Sequence, residues 1–324
     1  PSSEIFLLQR SADGDDAIFR TDLTGEQAVP VFTHPRINDY LATATQLVVA
    51  VEEDEQSSIL VMNRDGSDQR ELTLPGDGYV RGIQVSERGG LVGYSYSDRE
   101  LSDTSGRASV LVTQSLNADD EPRIVEVGGE EASIGEWQFV PDSAAVLFID
   151  FEGALALEDV TTDAGVQSLG IAMTIRGISR GTYTAIVERI DGGVVELNLA
   201  DGSEEPLAAS EPDYGTATTI TPFPGGTLRH VVSRDSDGLP TGQAVIRVDD
   251  EGAAAPLLEV TGTDAIMQAC PSPSGQYAAV VVAPDLVENI RDDMTLPLPQ
   301  RMDTHLIDVQ SGDEIVALSG FDIS

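Results

Sequence analysis

Three histidines, His34, His230 and His305, are the obvious candidates for acid–base or metal chemistry, yet each stands far from the others in the chain. None has a His or Cys neighbour at metal-ligand spacing. A Gly-x-Ser-x-Gly nucleophile elbow and a phosphate-binding P-loop are both absent. Lone Cys270 follows the apolar stretch Ile266-Met267-Gln268-Ala269, cannot form an intramolecular disulfide, and reads as a core residue. No catalytic residue, no resident metal and no cofactor are therefore expected. Hard oxygen ligands do cluster in Asp13-Gly14-Asp15-Asp16, Asp65-Gly66-Ser67-Asp68 and Asp235-Ser236-Asp237-Gly238. They lack EF-hand spacing, so they read either as peripheral calcium sites or as ordinary hairpin turns, where Asp and Gly serve the backbone.

Arginine offers a different chemistry. Val80-Arg81-Gly82-Ile83 and Ile175-Arg176-Gly177-Ile178 are near copies of one another. A guanidinium grips carboxylate or phosphate in a bidentate fork, so Arg81 and Arg176 could hold a small anionic ligand. Charge balance against Glu136 and Asp322 is the competing reading.

A third candidate is the segment 285–303, DLVENIRDDMTLPLPQRMD, which is too long for a simple hairpin. Within it, Asp285, Leu286, Ile290, Arg291, Asp292, Asp293, Met294 and Arg301 mix aliphatic and Met anchors with charge, the composition of a protein contact. A loop folded back over its own sheet would carry the same residues. The acidic segments Glu52-Glu53-Asp54-Glu55, Asp98-Arg99-Glu100 and Asp235-Ser236-Asp237 would form a rim that speeds capture of a basic partner, or simply a solvated edge.

The elements that must position these residues follow from a repeat. Ser272-Pro273-Ser274-Gly275 leads into the β-rich run from Tyr277 to Ala283, and Val140-Pro141-Asp142-Ser143 leads into the run from Ala145 to Phe148. Weaker copies place strand starts at Leu47, Leu91, Tyr183 and Leu228. A seventh, at Ile5, appears when Ser324 is joined to Pro1. Spacings of 38 to 54 residues match the length of a four-stranded propeller blade. A second strand and a polar turn follow each marker, as in Ile59 to Gly66, Val195 to Gly202 and His305 to Gly312. The expected fold is all-β, a seven-bladed antiparallel β-propeller occupying 1–324 as one domain. Its first blade is built from about 1–34 plus 321–324, so that Phe321 to Ser324 supply the innermost strand and close the ring. On this plan Arg81 and Arg176 fall on innermost strands, facing a central channel.

These motifs, above all Ile59 to Thr73 (ILVMNRDGSDQRELT), Ser272-Pro273-Ser274-Gly275 and Trp137 to Asp142 (WQFVPD), resemble the TolB-like, PD40-type (WD40-like) propeller repeats. The resemblance implies fold more than activity. A hydrolase domain accompanies such propellers in prolyl peptidases, and ring closure by the chain's own end leaves no room for one, so peptidase activity is not expected.

Composition narrows the partners. The 324 residues carry 56 Asp and Glu against 18 basic residues, all of them Arg, for a net charge of −38. That excludes a sequence-independent nucleic-acid binder, which needs a basic stripe to displace counterions. No apolar run reaches bilayer length. The acidity and a first residue that is not Met fit a trimmed extracytoplasmic domain, secreted or associated with the cell envelope. The function expected is a non-catalytic recognition scaffold for a protein partner of basic character. The alternative is a channel enzyme, a lyase or hydrolase, or a binder of small anions.

Overall fold

In the computed structural model, the residues described are 4–11, 14–54, 56–86, 90–99, 109–117, 121–127, 130–131, 134–162, 165–207, 214–238, 240–284, 302–321 and 323. The fold is a seven-bladed antiparallel β-propeller. Its sheets follow one another along the chain, and strand order within each matches chain order. The first sheet has three strands, Glu4–Gln9, Asp16–Asp22 and Val29–His34. The other six have four each, and a small two-stranded ladder, Glu126–Val127 with Glu130–Glu131, is set apart from them.

The chain divides into two compact units. One holds residues 34–207 with the second to fifth sheets. The other holds 1–33 and 208–324 with the first, sixth and seventh. In the first of these units, core clusters fill the spaces between successive sheets. Val48, Ile59, Val80 and Tyr94 join the second sheet to the third. Leu111, Trp137, Phe139 and Phe148 join the third to the fourth, and Leu147, Leu155, Ile175 and Val187 join the fourth to the fifth. In the other unit, Phe223, Val245, Val280 and Ile307 join the sixth and seventh. A strand packed on both faces has no polar side to present, which is why Leu47 to Val51 and Val280 to Ala283 are unbroken apolar runs.

Innermost strands behave differently. In six of the seven sheets the pairing of first with second strand slips by an extra residue, between Ile37 and Asp39, Arg81 and Gln84, Ile134 and Glu136, Ile175 and Gly177, Ala217 and Thr219, and Ile266 and Gln268. Such a bulge re-aims the side chains that follow it. Several of those side chains then reach the backbone edge of the next sheet. Asp39 Oδ2 accepts from the Ile83 amide at 3.1 Å, and Glu136 accepts from the Ile175 amide and the Thr174 hydroxyl, each at 3.1 Å. Gln84 donates from Nε2 to the Trp137 carbonyl at 2.9 Å and accepts from the Phe139 amide at 3.1 Å. Gln138 donates to the Ile175 carbonyl at 3.2 Å. These bonds satisfy groups that an open sheet edge would leave unpaired.

At the end of the chain, Phe321 stacks edge-on against Phe19 of the first sheet with ring centroids 5.5 Å apart, and its carbonyl accepts from Thr304 Oγ1 at 2.8 Å. Neither Phe321 nor Ile323 is in a strand, and Asp322 and Ser324 lie outside the described residues.

Candidate functional site

Half of the large apolar side chains exposed among the described residues belong to one edge of the fourth and fifth sheets: Phe151, Ile171, Met173 and Ile190, of eight in all. Each is held out by local backbone chemistry. The fourth sheet's second and third strands, Ala145–Asp150 and Ala154–Asp159, are joined by the turn Phe151-Glu152-Gly153. Asp150 Oδ1 accepts from the amides of Glu152 and Ala154 at 2.9 and 2.8 Å, and Gly153 supplies the positive φ of 85° that the turn needs. With the tip fixed in this way, the Phe151 side chain is left 61% exposed. The equivalent turn of the fifth sheet, between Thr184–Glu188 and Val194–Asn198, is Arg189 to Gly193. There Asp191 Oδ1 accepts from the Gly193 amide at 3.0 Å and the Gly192 amide donates to the Arg189 carbonyl at 2.9 Å. Ile190, at its tip, is 64% exposed.

The connection between the two sheets, Ile171-Ala172-Met173, is laced to both turns. The Ala172 amide donates to the Gly153 carbonyl at 3.0 Å and the Met173 amide to the Glu188 carbonyl at 2.8 Å. Arg189 donates from Nη1 to the Ile171 carbonyl at 2.6 Å and pairs through Nη2 with Glu204. Ala172 is buried beneath the connection while Ile171 and Met173 on either side of it point into solvent. The edge is therefore a preformed apolar surface, bordered by the exposed carboxylates of Glu152 and Asp191. An apolar cluster with a charged border is the anatomy of an interaction surface.

The arginine pair is placed as the repeat implied, on the innermost strands Gly78–Ser86 and Thr174–Ile178, two sheets apart. The two residues are engaged differently. Arg176 forms an ion pair with Glu188 of its own sheet, whereas Arg81 is exposed and makes no hydrogen bond or ion pair with a described residue. Glu136, the expected counter-charge, is taken up by Thr174 and Ile175 instead.

All three histidines have local partners. His34 Nδ1 accepts from the Arg36 amide at 3.2 Å, and His305 Nδ1 lies 2.6 Å from Glu314 Oε2. His230 lies 3.0 Å from both Thr218 and Gln243, and burial pushes its pKa below the ordinary imidazole value. The aspartates weighed as calcium ligands serve turns: Asp65 Oδ1 accepts from the Ser67 amide and hydroxyl, and Asp235 Oδ1 from the Asp237 amide. Asp22, Asp159 and Asp201 make the same turn with a Thr or Ser two residues on, and those hydroxyl bonds hold their carboxyls below the usual range. Among the described residues no group of three or more His, Cys, Asp or Glu is arranged to hold a metal ion, and no helix is long and apolar enough to cross a membrane. Asp285, Leu286, Ile290, Arg291, Asp292, Asp293, Met294 and Arg301 lie outside the described residues, as do Asp13, Glu55 and Glu100.

No known family model matches the sequence, and no curated protein matches it significantly. Solved structures do. A prolyl endopeptidase superposes with a TM-score of 0.68 at 10% identity over 99% of this chain, which spans 49% of that protein. A structure from Bacteroides fragilis, provisionally assigned as a 6-phosphogluconolactonase, matches with a TM-score of 0.54 at 14% identity over 100% of this chain and 97% of its own. At these identities the likeness is one of fold, and the TolB-like resemblance likewise reaches only as far as the propeller.

Proposed function

We propose that this propeller is a non-catalytic recognition scaffold acting outside the cytoplasm. It binds a protein partner that presents apolar side chains flanked by Lys or Arg. The observation that supports this is the edge carrying Phe151, Ile171, Met173 and Ile190, held rigid by turn and connection hydrogen bonds rather than by a partner element of its own. Exposing four large apolar groups on a preformed frame costs solubility and has a use only if something covers them. The basic character of the partner follows from charge: Glu152 and Asp191 border the patch, and the chain carries −38 with no Lys. Such a field speeds encounter with a cationic surface and suppresses acidic ones. The segment 285–303 is a second contact in this reading.

The test is capture from an envelope extract, followed by calorimetry with the purified partner. Phe151→Ser with Ile190→Ser should weaken binding at least tenfold while leaving the melting temperature unchanged, since both side chains are already in water. Rising salt should weaken binding further. A partner held equally well by the double variant sinks the reading, as does one whose binding ignores salt.

One observation favours a second reading, in which the propeller serves inside a longer hydrolytic protein: the chain spans about half of the prolyl endopeptidase it superposes on. Cleavage of a proline-containing peptide by a longer form of the protein would favour that reading.

A further inference from the structure

Sulfur is scarce in this chain, which has five methionines and one cysteine. Met62 is fully buried, Met302 is half-buried, and Met267 is 39% exposed. Met173 is 60% exposed, the most open of the four methionines among the described residues. Cys270 is partly buried, and burial pushes its thiol up, so it keeps its proton and with it the less reactive form. A thioether has no proton to lose, so access governs how readily an oxidant reaches it.

Position adds to exposure. Met173 belongs to the connection that joins the fourth sheet to the fifth and is bonded to the turns bearing Phe151 and Ile190. Its amide donates to the Glu188 carbonyl at 2.8 Å, and Ala172, the residue before it, is buried. With the backbone pinned in this way, the side chain is kept in water, as that of Ile171 is. Charge selects among oxidants. A net charge of −38 repels anionic ones and leaves a neutral hydroperoxide unhindered.

We propose that Met173 is a redox modification site through which a hydroperoxide switches the apolar edge off. The Met173 sulfur gives an electron pair to one peroxide oxygen, the O–O bond breaks and an S–O bond forms. The proton of the transferred hydroxyl passes to the departing oxygen, which leaves as water or an alcohol. Sulfur is oxidised and the peroxide is reduced. The sulfoxide is polar and accepts hydrogen bonds, so apolar side chains of a partner can cover it only by stripping its water. Enzymatic reduction returns the thioether, which makes the change reversible. The proposal rests on reading this edge as a docking surface.

The test exposes the whole chain to hydrogen peroxide, maps oxygen uptake at each methionine by peptide mass spectrometry, and follows the edge with the apolar dye bis-ANS. The part of the dye fluorescence lost in the Phe151→Ser, Ile190→Ser double variant reports the edge. Met173 should gain its oxygen ahead of Met267, Met302 and Met62, and the edge signal should fall in step with it. Met173→Leu keeps the edge apolar and should hold the signal through the same treatment, whereas Met267→Leu should lose it as the parent does. A methionine sulfoxide reductase should restore it in the parent. Oxidation of another of these methionines first, or an equal loss of signal in Met173→Leu, would overturn the proposal and leave the docking edge standing. A dye signal identical in parent and double variant would remove the docking edge itself, and the switch with it.

Discussion

Removing the Gln84 side chain tests the idea that one sheet holds the backbone edge of the next. In Gln84→Ala, two hydrogen bonds vanish, to the Trp137 carbonyl at 2.9 Å and from the Phe139 amide at 3.1 Å. Both partners belong to residues whose side chains are almost wholly buried, at 6% and 7% exposure. Each group left unpaired costs about 1–3 kcal/mol if water cannot reach it, and the lower end applies here because the edge is only part-buried. The loss worked from the structure is thus about 2–4 kcal/mol. Gln84→Glu sharpens the test. Its carboxylate still accepts from Phe139, but sets an oxygen against the Trp137 carbonyl, and only the protonated acid can donate there. The folded state then binds its proton more tightly than the unfolded one, so this variant is most stable in acid and loses stability as pH rises through and above the carboxylate range. Urea unfolding followed by fluorescence reads both variants, since Trp137 is the only tryptophan. If Gln84→Ala stays within about 0.5 kcal/mol of the parent and Gln84→Glu shows the parent's pH profile, water replaces the side chain and the clamp is decorative.

Two further outcomes follow. Trp137→Ala should lose about 3–5 kcal/mol, because the ring is buried against Phe139 and above Gly93 and its Nε1 donates to Ser95 Oγ at 2.9 Å. Thermal unfolding followed by circular dichroism measures it, and a near-neutral change would mean that the space refills. Glu158 has a buried Oε2 with no partner, and burial raises its pKa despite the Arg123 guanidinium 3.4 Å from Oε1. The folded carboxyl therefore keeps its proton longer than the unfolded one, and the parent loses stability as pH rises through that range. Glu158→Gln should be the more stable protein at about pH 8, with the advantage gone near pH 4. A constant difference at both would place the effect elsewhere.

How much was legible in the sequence depended on which signal carried it. The seven markers lie within two residues of strand starts, from Glu4–Gln9 to Tyr277–Ala283, because a tight turn followed by a doubly buried strand leaves a local trace. Innermost strands left a poorer one. A bulge breaks the alternation of two, so Ile37 and Tyr40, or Ile134 and Trp137, are both buried three residues apart. Corresponding positions for Arg81 and Arg176 were readable, but the partner of Arg176 was not, since Glu188 comes beside it only through the register that pairs Thr174 with Glu188. The apolar edge was missed because each of its turns is short. A usable signal was present: a large apolar residue at the tip of Asp150-Phe151-Glu152-Gly153 and of Arg189-Ile190-Asp191-Gly192, where turn geometry leaves it in water.

The clamps between sheets have a consequence for how such a chain can drift. Asp39, Gln84, Glu136 and Gln138 all grasp main-chain amides or carbonyls. Every residue type but proline offers both groups. A blade held in this way places almost no demand on the identity of its neighbour's side chains, so each repeat is free to wander from the others while the joint between them persists. Blades that share a geometry then come to share little wording, as the faint copies along this chain do, and two proteins can keep superposable propellers at 10% identity.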